Sequence, residues 1–148
     1  HSFPPRRPSD LAIADYILVF RKGTEDPEVR IDQDPITEDQ WIEWARPIWY
    51  GIRETDTLQA PPKANDERHV APLQLGVIER CVRLWSNPGE TVLTPFMGIG
   101  SEAYVAVKHG RKAIGVELKP EYFATAVRNL STARSQGQLF DETGKGDA

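Results

Sequence analysis

The sequence is short of most features that mark extracellular, membrane-spanning or metal-bound proteins. It has one cysteine, Cys81, among 148 residues. No intramolecular disulfide framework can form, and such cysteine usage suits a reducing cytosol. No apolar run reaches the length that crosses a bilayer. The first ten residues hold Arg and Pro where a secretory signal would hold a hydrophobic core. His1, His69 and His109 lie far apart with a single cysteine to join them, which gives a zinc site little support. No spacing suggests a Ser-His-Asp arrangement, and no internal repeat is visible. A surplus of positive charge is also absent. The formal net charge is -4, which removes the bulk basic signature of a non-specific nucleic-acid binder but leaves room for a local basic face. These bounds predict one soluble cytoplasmic domain with no membrane contact, and the 39% hydrophobic content is enough for a core.

Organisation along the chain is uneven. Residues 1–13 are rich in Pro and Arg. Residues 15–22 (Asp-Tyr-Ile-Leu-Val-Phe-Arg-Lys) form a β-branched and aromatic run stopped by Gly23, which predicts a buried strand. An acidic loop follows over 24–35. Thr37 reads as an N-cap with Gln40 as its capping-box partner, opening a short helix through Trp41, Ile42, Trp44 and Ala45 that ends at Pro47. Residues 46–68 read as a long irregular connection. From Pro72, a residue suited to a first helical position, apolar residues recur at helical spacing: Leu73, Val77, Ile78, Cys81, Val82 and Trp85. A strand over 91–96, a helix from Ser101 to about His109 with Gly110 as its C′ residue, a strand over 112–118 and a last helix from Pro120 to about Ala133 complete the pattern. The tail after Gln136 reads as polar and frayed, with Leu139 and Phe140 available for local packing.

The chemistry concentrates in Thr94-Pro95-Phe96-Met97-Gly98-Ile99-Gly100-Ser101 and, one helix later, Ile114-Gly115-Val116-Glu117-Leu118. Strand, Gly-x-Gly turn, helix, strand and terminal acid make half of a nucleotide-binding βαβ fold. Glycines let a ligand approach the backbone, and a strand-end carboxylate such as Glu117 can accept hydrogen bonds from two ribose hydroxyls. The third glycine of a dinucleotide fingerprint is missing, and Glu102 opens the helix where a pyrophosphate would want bare N–H groups. A nucleoside without phosphate fits better than a dinucleotide. Phe96 and Leu118 suit the walls of an adenine pocket or ordinary core positions. Ser101 suits a helix cap, a ligand contact, or both.

At this point the sequence resembles the amino-directed DNA methyltransferases, which use S-adenosylmethionine to modify cytosine N4 or adenine N6. The likeness is to members with circularly ordered motifs, as in phage and prophage enzymes. Val70-Ala71-Pro72-Leu73-Gln74-Leu75 resembles the helix-opening motif that helps bind the methionine part of the cofactor. Ser86 through Leu93 resembles the approach to the first cofactor strand, Pro95 through Ser101 the cofactor loop, Gly110-Arg111 through Glu117 the strand with the ribose-binding acid, and Pro120-Glu121-Tyr122-Phe123 with Ala126 onward the next helix. More loosely, residues 14–23 and 41–58 resemble the body strand and target-recognition region. The resemblance implies an α/β fold, a partial Rossmann-like methyltransferase sheet with flanking helices, and S-adenosylmethionine as cofactor. It implies cofactor-binding roles for His69, Pro72, Leu73, Pro95, Phe96, Gly98, Gly100, Ser101, Glu117 and Leu118, and DNA as partner. Trp41, Arg46 and Arg53, with Trp44, Trp49 and Tyr50, suit a DNA-facing surface or a small satellite core with solvated arginines. The implied division is 1–68 for the body strand and part of the recognition region, 69–135 for the cofactor half and 136–148 for a flexible tail.

Two departures stand out. Thr94 occupies a position where the family commonly has an acid. The catalytic tetrapeptide of the family, Asp, Asn or Ser followed by Pro-Pro and an aromatic, matches neither Phe3-Pro4-Pro5-Arg6 nor Ala60-Pro61-Pro62-Lys63. Its polar residue accepts the target amine's hydrogen bond and its aromatic stacks on the flipped base, so neither pair can do that chemistry. The expectation is therefore a methyltransferase fragment that is inactive alone and lacks the catalytic-motif strand. A second chain or a missing N-terminal part is expected to cover the sheet edge so exposed. A non-catalytic remnant or partner subunit, and a fragment of an RNA or small-molecule methyltransferase, stand as alternatives.

Overall fold

The computed structural model describes residues 16–20, 22, 36–59 and 72–142, with 136–142 described by backbone alone. Among these are four helices and one two-stranded parallel sheet. They are α1 (Glu38–Trp44), α2 (Leu75–Trp85), β1 (Thr91–Thr94), α3 (Ser101–Lys108), β2 (Lys112–Gly115) and α4 (Pro120–Glu142). The α/β class and the partial Rossmann-like arrangement are as the sequence predicts. None of the described helices is long and apolar enough to cross a membrane.

Local chemistry sets the helix ends. Thr37 and Gln40 form the capping box of α1: the Gln40 N–H donates to Thr37 Oγ1 at 3.2 Å and the Thr37 N–H to Gln40 Oε1 at 3.0 Å. This helix ends at Trp44, before Pro47 is reached. Gly110, with φ +79°, follows the His109 C-cap of α3 as the expected left-handed C′ residue. Pro72 is not the first residue of α2. The Leu75 N–H donates to the Asp56 carbonyl at 2.8 Å, which holds 72–74 extended against the preceding loop and delays the helix until after Gln74. At the other end of the chain, α4 continues past Ala133 to Glu142. Local packing by Leu139 and Phe140 lies outside the described side chains.

In register, Val92 pairs with Ala113 and Leu93 with Ile114. The strands end earlier than their apolar runs, at Thr94 and Gly115, although Val116 N–H still donates to the Thr94 carbonyl at 3.0 Å and Met97 N–H to the Val116 carbonyl at 2.8 Å. Helix α3 packs against both strands and between α2 and α4. One core cluster joins Ile78, Val82 and Val105, with Leu75, Val92 and Tyr104 packed against it. A second joins Met97, Ala103 and Ala126, with Ala113 and Leu130. The opposite face of the sheet is bare among the described residues, with Leu93 63% and Ile114 56% exposed. Parallel sheets normally bury both faces.

The run over 15–22 is not a buried strand where it is described. Residues 16–20 have no regular structure and are exposed. Their β-branched composition supplies propensity, but a strand is stabilised by neighbours, and none of the described residues pairs with it. The expected loop over 24–35 lies outside the described residues.

Packing of the sheet against the loop is tightest at Gly115, where an added methyl would run into the buried Met97 side chain, 2.8 Å from its Cγ. Gly115→Ala is expected to cost about 1–3 kcal/mol in urea unfolding through overpacking. In a Met97→Ala background the same change should cost less than about 0.5 kcal/mol, because the clash partner is gone.

Candidate cofactor site

The loop between β1 and α3 turns on two glycines in the left-handed region, Gly98 at φ +54° and Gly100 at φ +91°. A side chain there would be strained. Nothing lies within 4 Å of where a Cβ on Gly98 would stand, so the loop faces open space at that point. Gly100 is the N-cap of α3 and makes no side-chain cap. Ser101 is consequently the first helical residue and does not cap the helix. Its hydroxyl is buried and has no hydrogen-bond partner among the described residues. A buried hydroxyl left unmatched costs about 1–3 kcal/mol unless a ligand or water supplies the partner.

Glu117 follows β2 and reaches back to this loop. Its Oε2 accepts from the Gly98 N–H at 2.8 Å and its Oε1 from the Lys119 N–H at 2.8 Å. The carboxylate is thereby fixed at both oxygens, and each oxygen keeps a further lone pair for an incoming hydroxyl. Phe96 (88%) and Leu118 (93%) are almost fully exposed, so neither is a core residue. Pro95 is exposed as well. The structure thus brings Gly98, Gly100, Ser101 and Glu117 together, flanked by Pro95, Phe96 and Leu118. Pro72 and Leu73 stand ahead of α2, a separate element. His69 lies outside the described residues.

Thr94 is buried at the end of β1. A carboxylate there would lose its hydration, a cost the neutral hydroxyl avoids. Burial also acts on Glu102 in the first turn of α3, raising its carboxyl above the ordinary range while its own backbone N–H partly offsets the rise. Cys81, pushed up to about 11 chiefly by burial, remains a thiol at neutral pH and is no nucleophile.

The aromatic cluster divides in two. Trp44 is buried, and its backbone carbonyl accepts from the Trp49 indole N–H at 2.7 Å. Trp49 stacks on Trp85 with centroids 6.3 Å apart. Between these rings sits the buried Arg80, 5.9 Å from the Trp44 ring centroid, 5.5 Å from that of Trp49, and paired with Glu43 at 2.8 Å. The satellite core is therefore real for Trp44 and Trp49. Trp41, Arg46 and Arg53 remain exposed, with Arg53 on the wall of a groove of about 490 Å³ beside Asp56 and Glu79. Sequence reading missed Arg80, whose charge hid its burial, and Asn129, whose amide donates to the Ile99 carbonyl at 2.8 Å. The only hint of Asn129 was its place three residues after Ala126 on the same helix face.

A family model described as DNA methylase matches residues 11–128. Among curated proteins, the type II methyltransferase M.BglI of Bacillus subtilis is 32% identical over 119 residues, 80% of this chain and 31% of that protein. The DNA adenine methyltransferase YhdJ of Escherichia coli K12 is 37% identical over 67 residues, 45% of this chain and 23% of that protein. Among solved structures, a putative DNA modification methylase of Thermus thermophilus, complexed with S-adenosyl-L-methionine, superposes with a TM-score of 0.56 at 27% identity. The match covers 76% of this chain and 40% of that one. The chain spans about a third of the length of M.BglI and of the methyltransferase M.MjaI of Methanocaldococcus jannaschii.

Because burial raises the Glu102 carboxyl, the folded chain holds that proton more tightly than the unfolded chain. This contribution to stability is full below the unfolded value and is lost as pH rises through the folded one. Glu102→Gln is expected to raise the melting temperature at pH 7 and leave it nearly unchanged at the acid end. Thermal unfolding across the carboxylate range reads the difference, and an equal shift at every pH would contradict it.

Proposed function

The chain belongs to the DNA methylase family of N6-adenine and N4-cytosine methyltransferases, and from that premise we propose that it is the cofactor-holding part of a DNA amino-methyltransferase. The observation that carries the reading is the pairing of Glu117 with the Gly98 N–H beside the buried Ser101 hydroxyl, which has no partner among the described residues. These groups fit S-adenosylmethionine. Glu117 offers its spare lone pairs to the two ribose hydroxyls, and Ser101 offers its hydroxyl to the methionine carboxylate. Phe96 and Leu118 offer apolar surface to adenine, the open space above Gly98 admits the nucleoside, and Pro72, Leu73 and His69 serve the methionine end. The solved methylase that this chain resembles was obtained with that cofactor.

When bound, S-adenosylmethionine supplies an electrophilic methyl group on a sulfonium. The work of this chain is to bind and orient it, so that a base amine placed opposite attacks in line and proximity provides much of the acceleration. Groups that accept the amine proton and stack on a flipped base are absent from both Pro-Pro pairs. We place them on polypeptide outside these 148 residues. That polypeptide also covers Leu93, Ile114 and the edge of β1 that no described residue pairs with, since an open edge is otherwise prone to aggregate. Trp41, Arg46 and Arg53, exposed around the Arg80 satellite core, face DNA in this reading: the arginines contact phosphate or base edges and the indole stacks.

Calorimetric titration tests the cofactor reading. Wild-type chain is expected to bind S-adenosylmethionine one to one, and Glu117→Ala to weaken binding about a hundredfold, as loss of two hydrogen bonds to a charged acceptor predicts. Absence of heat with the wild type would favour a non-catalytic remnant. A second assay tests the division of labour with radiolabelled cofactor and DNA. The chain alone is expected to transfer no methyl group. A complementary polypeptide carrying a polar-Pro-Pro-aromatic strand restores transfer, Leu93→Asp prevents that restoration, and Arg46→Ala with Arg53→Ala lowers DNA affinity. Transfer by the chain alone would overturn the assignment.

A further inference from the structure

The glycine loop is gripped from two sides. On the sheet side, Val116 accepts from the Met97 N–H and Glu117 from the Gly98 N–H. On the other side stands α4. Ala126, fully buried, lies against Gly100 so closely that a methyl group there would come within 3.0 Å of its Cβ and 3.2 Å of its Cα. One turn on, the Asn129 side-chain amide donates to the Ile99 carbonyl at 2.8 Å.

That carbonyl belongs to the same rigid peptide plane as the Gly100 N–H. The Gly100 N–H donates to the Met97 carbonyl at 2.8 Å. The plane joining residues 99 and 100 is therefore held at both ends, by Met97 at its N–H and by Asn129 at its C=O. Gly100 has no side chain to bias its backbone, and the loop on either side carries the Gly98 N–H and the Ser101 hydroxyl.

We infer that Asn129 is a positioning residue that latches the 99–100 peptide and so presets the loop for its ligand. It acts through the backbone of residues 98–101 rather than by touching the ligand. The consequence for ligand binding rests on the S-adenosylmethionine reading; the latch itself does not. Preorganisation of this kind lowers the ordering cost of binding. The interaction needs a donor at the Asn129 position, which an isosteric carboxylate lacks when ionised and regains when protonated.

The test uses the full chain and two substitutions, Asn129→Ala and Asn129→Asp. Amide hydrogen exchange is followed at Gly98 and Gly100 in the free protein, with amides in the middle of α3 as the internal reference. In Asn129→Ala, exchange at the two glycine amides is expected to quicken about tenfold while the α3 amides keep wild-type protection. In Asn129→Asp, it is expected to quicken at neutral pH and return toward wild type, relative to the pH-matched wild-type protein, as pH falls through the carboxylate range. S-adenosylmethionine affinity, expressed as the ratio to wild type, should follow the same pH course. Unchanged exchange at Gly98 and Gly100 would overturn the latch. So would quickening spread equally over α3, or a response of Asn129→Asp that is flat with pH. If the wild-type chain fails to bind the cofactor, the ligand reading falls while the exchange measurements still decide the role of Asn129.

Discussion

One hydrogen bond organises the functional end of this molecule: the Gly98 N–H donating to the Glu117 carboxylate at 2.8 Å. It spans 19 residues of sequence and joins the turn after β1 to the chain leaving β2. A charged acceptor makes it stronger than an ordinary backbone bond. Around it the loop turns through the left-handed region at Gly98, the Met97 side chain lies inward against Gly115, and α3 begins at Ser101 with a buried hydroxyl that lacks a protein partner among the described residues. The carboxylate is not consumed by this structural duty, since each oxygen retains capacity for another donor.

A second constraint ties the segment over 36–59 to α2. Arg80 projects from α2 into the Trp44 and Trp49 rings and pairs with Glu43 across 37 residues of sequence. Burying a guanidinium is costly, and an exposed partner such as Glu43 recovers only part of that cost. The indole faces and the length of the aliphatic stem supply the rest. The segment over 36–59 is thereby clipped to the helix behind the cofactor loop, while Trp41, Arg46 and Arg53 stay outward. In the proposed function this clip gives the outward arginines a fixed mount, which lowers the entropy lost on each contact.

What was legible in the sequence was what depends on near neighbours. The capping box of Thr37 and Gln40, the C′ glycine at 110, the Gly-x-Gly turn and the acid after β2 all follow from signals within a few residues, and the structure has each of them. What was hidden depends on distant partners. Residues 15–22 carry the composition of a buried strand, yet 16–20 are exposed, because pairing and not propensity makes a strand. Pro72 suited a helix start, but the Asp56 carbonyl captured the Leu75 N–H and delayed it. Arg80 lies on the side of α2 turned away from Ile78 and Val82, and the rings that bury it lie about 30 residues or more away in sequence. Asn129, which reaches back 30 residues to the loop, has only its place three residues after Ala126 as a local hint.

In the function proposed above, the loop at Gly98, Gly100 and Ser101, with Glu117, receives S-adenosylmethionine. Backbone amide resonances followed by NMR during cofactor titration test it most directly. Saturable one-to-one shifts centred on Gly98, Ser101 and Glu117 are expected, with Trp44 and Arg80 nearly still. Shifts centred elsewhere, or no shifts at saturating cofactor, would contradict it.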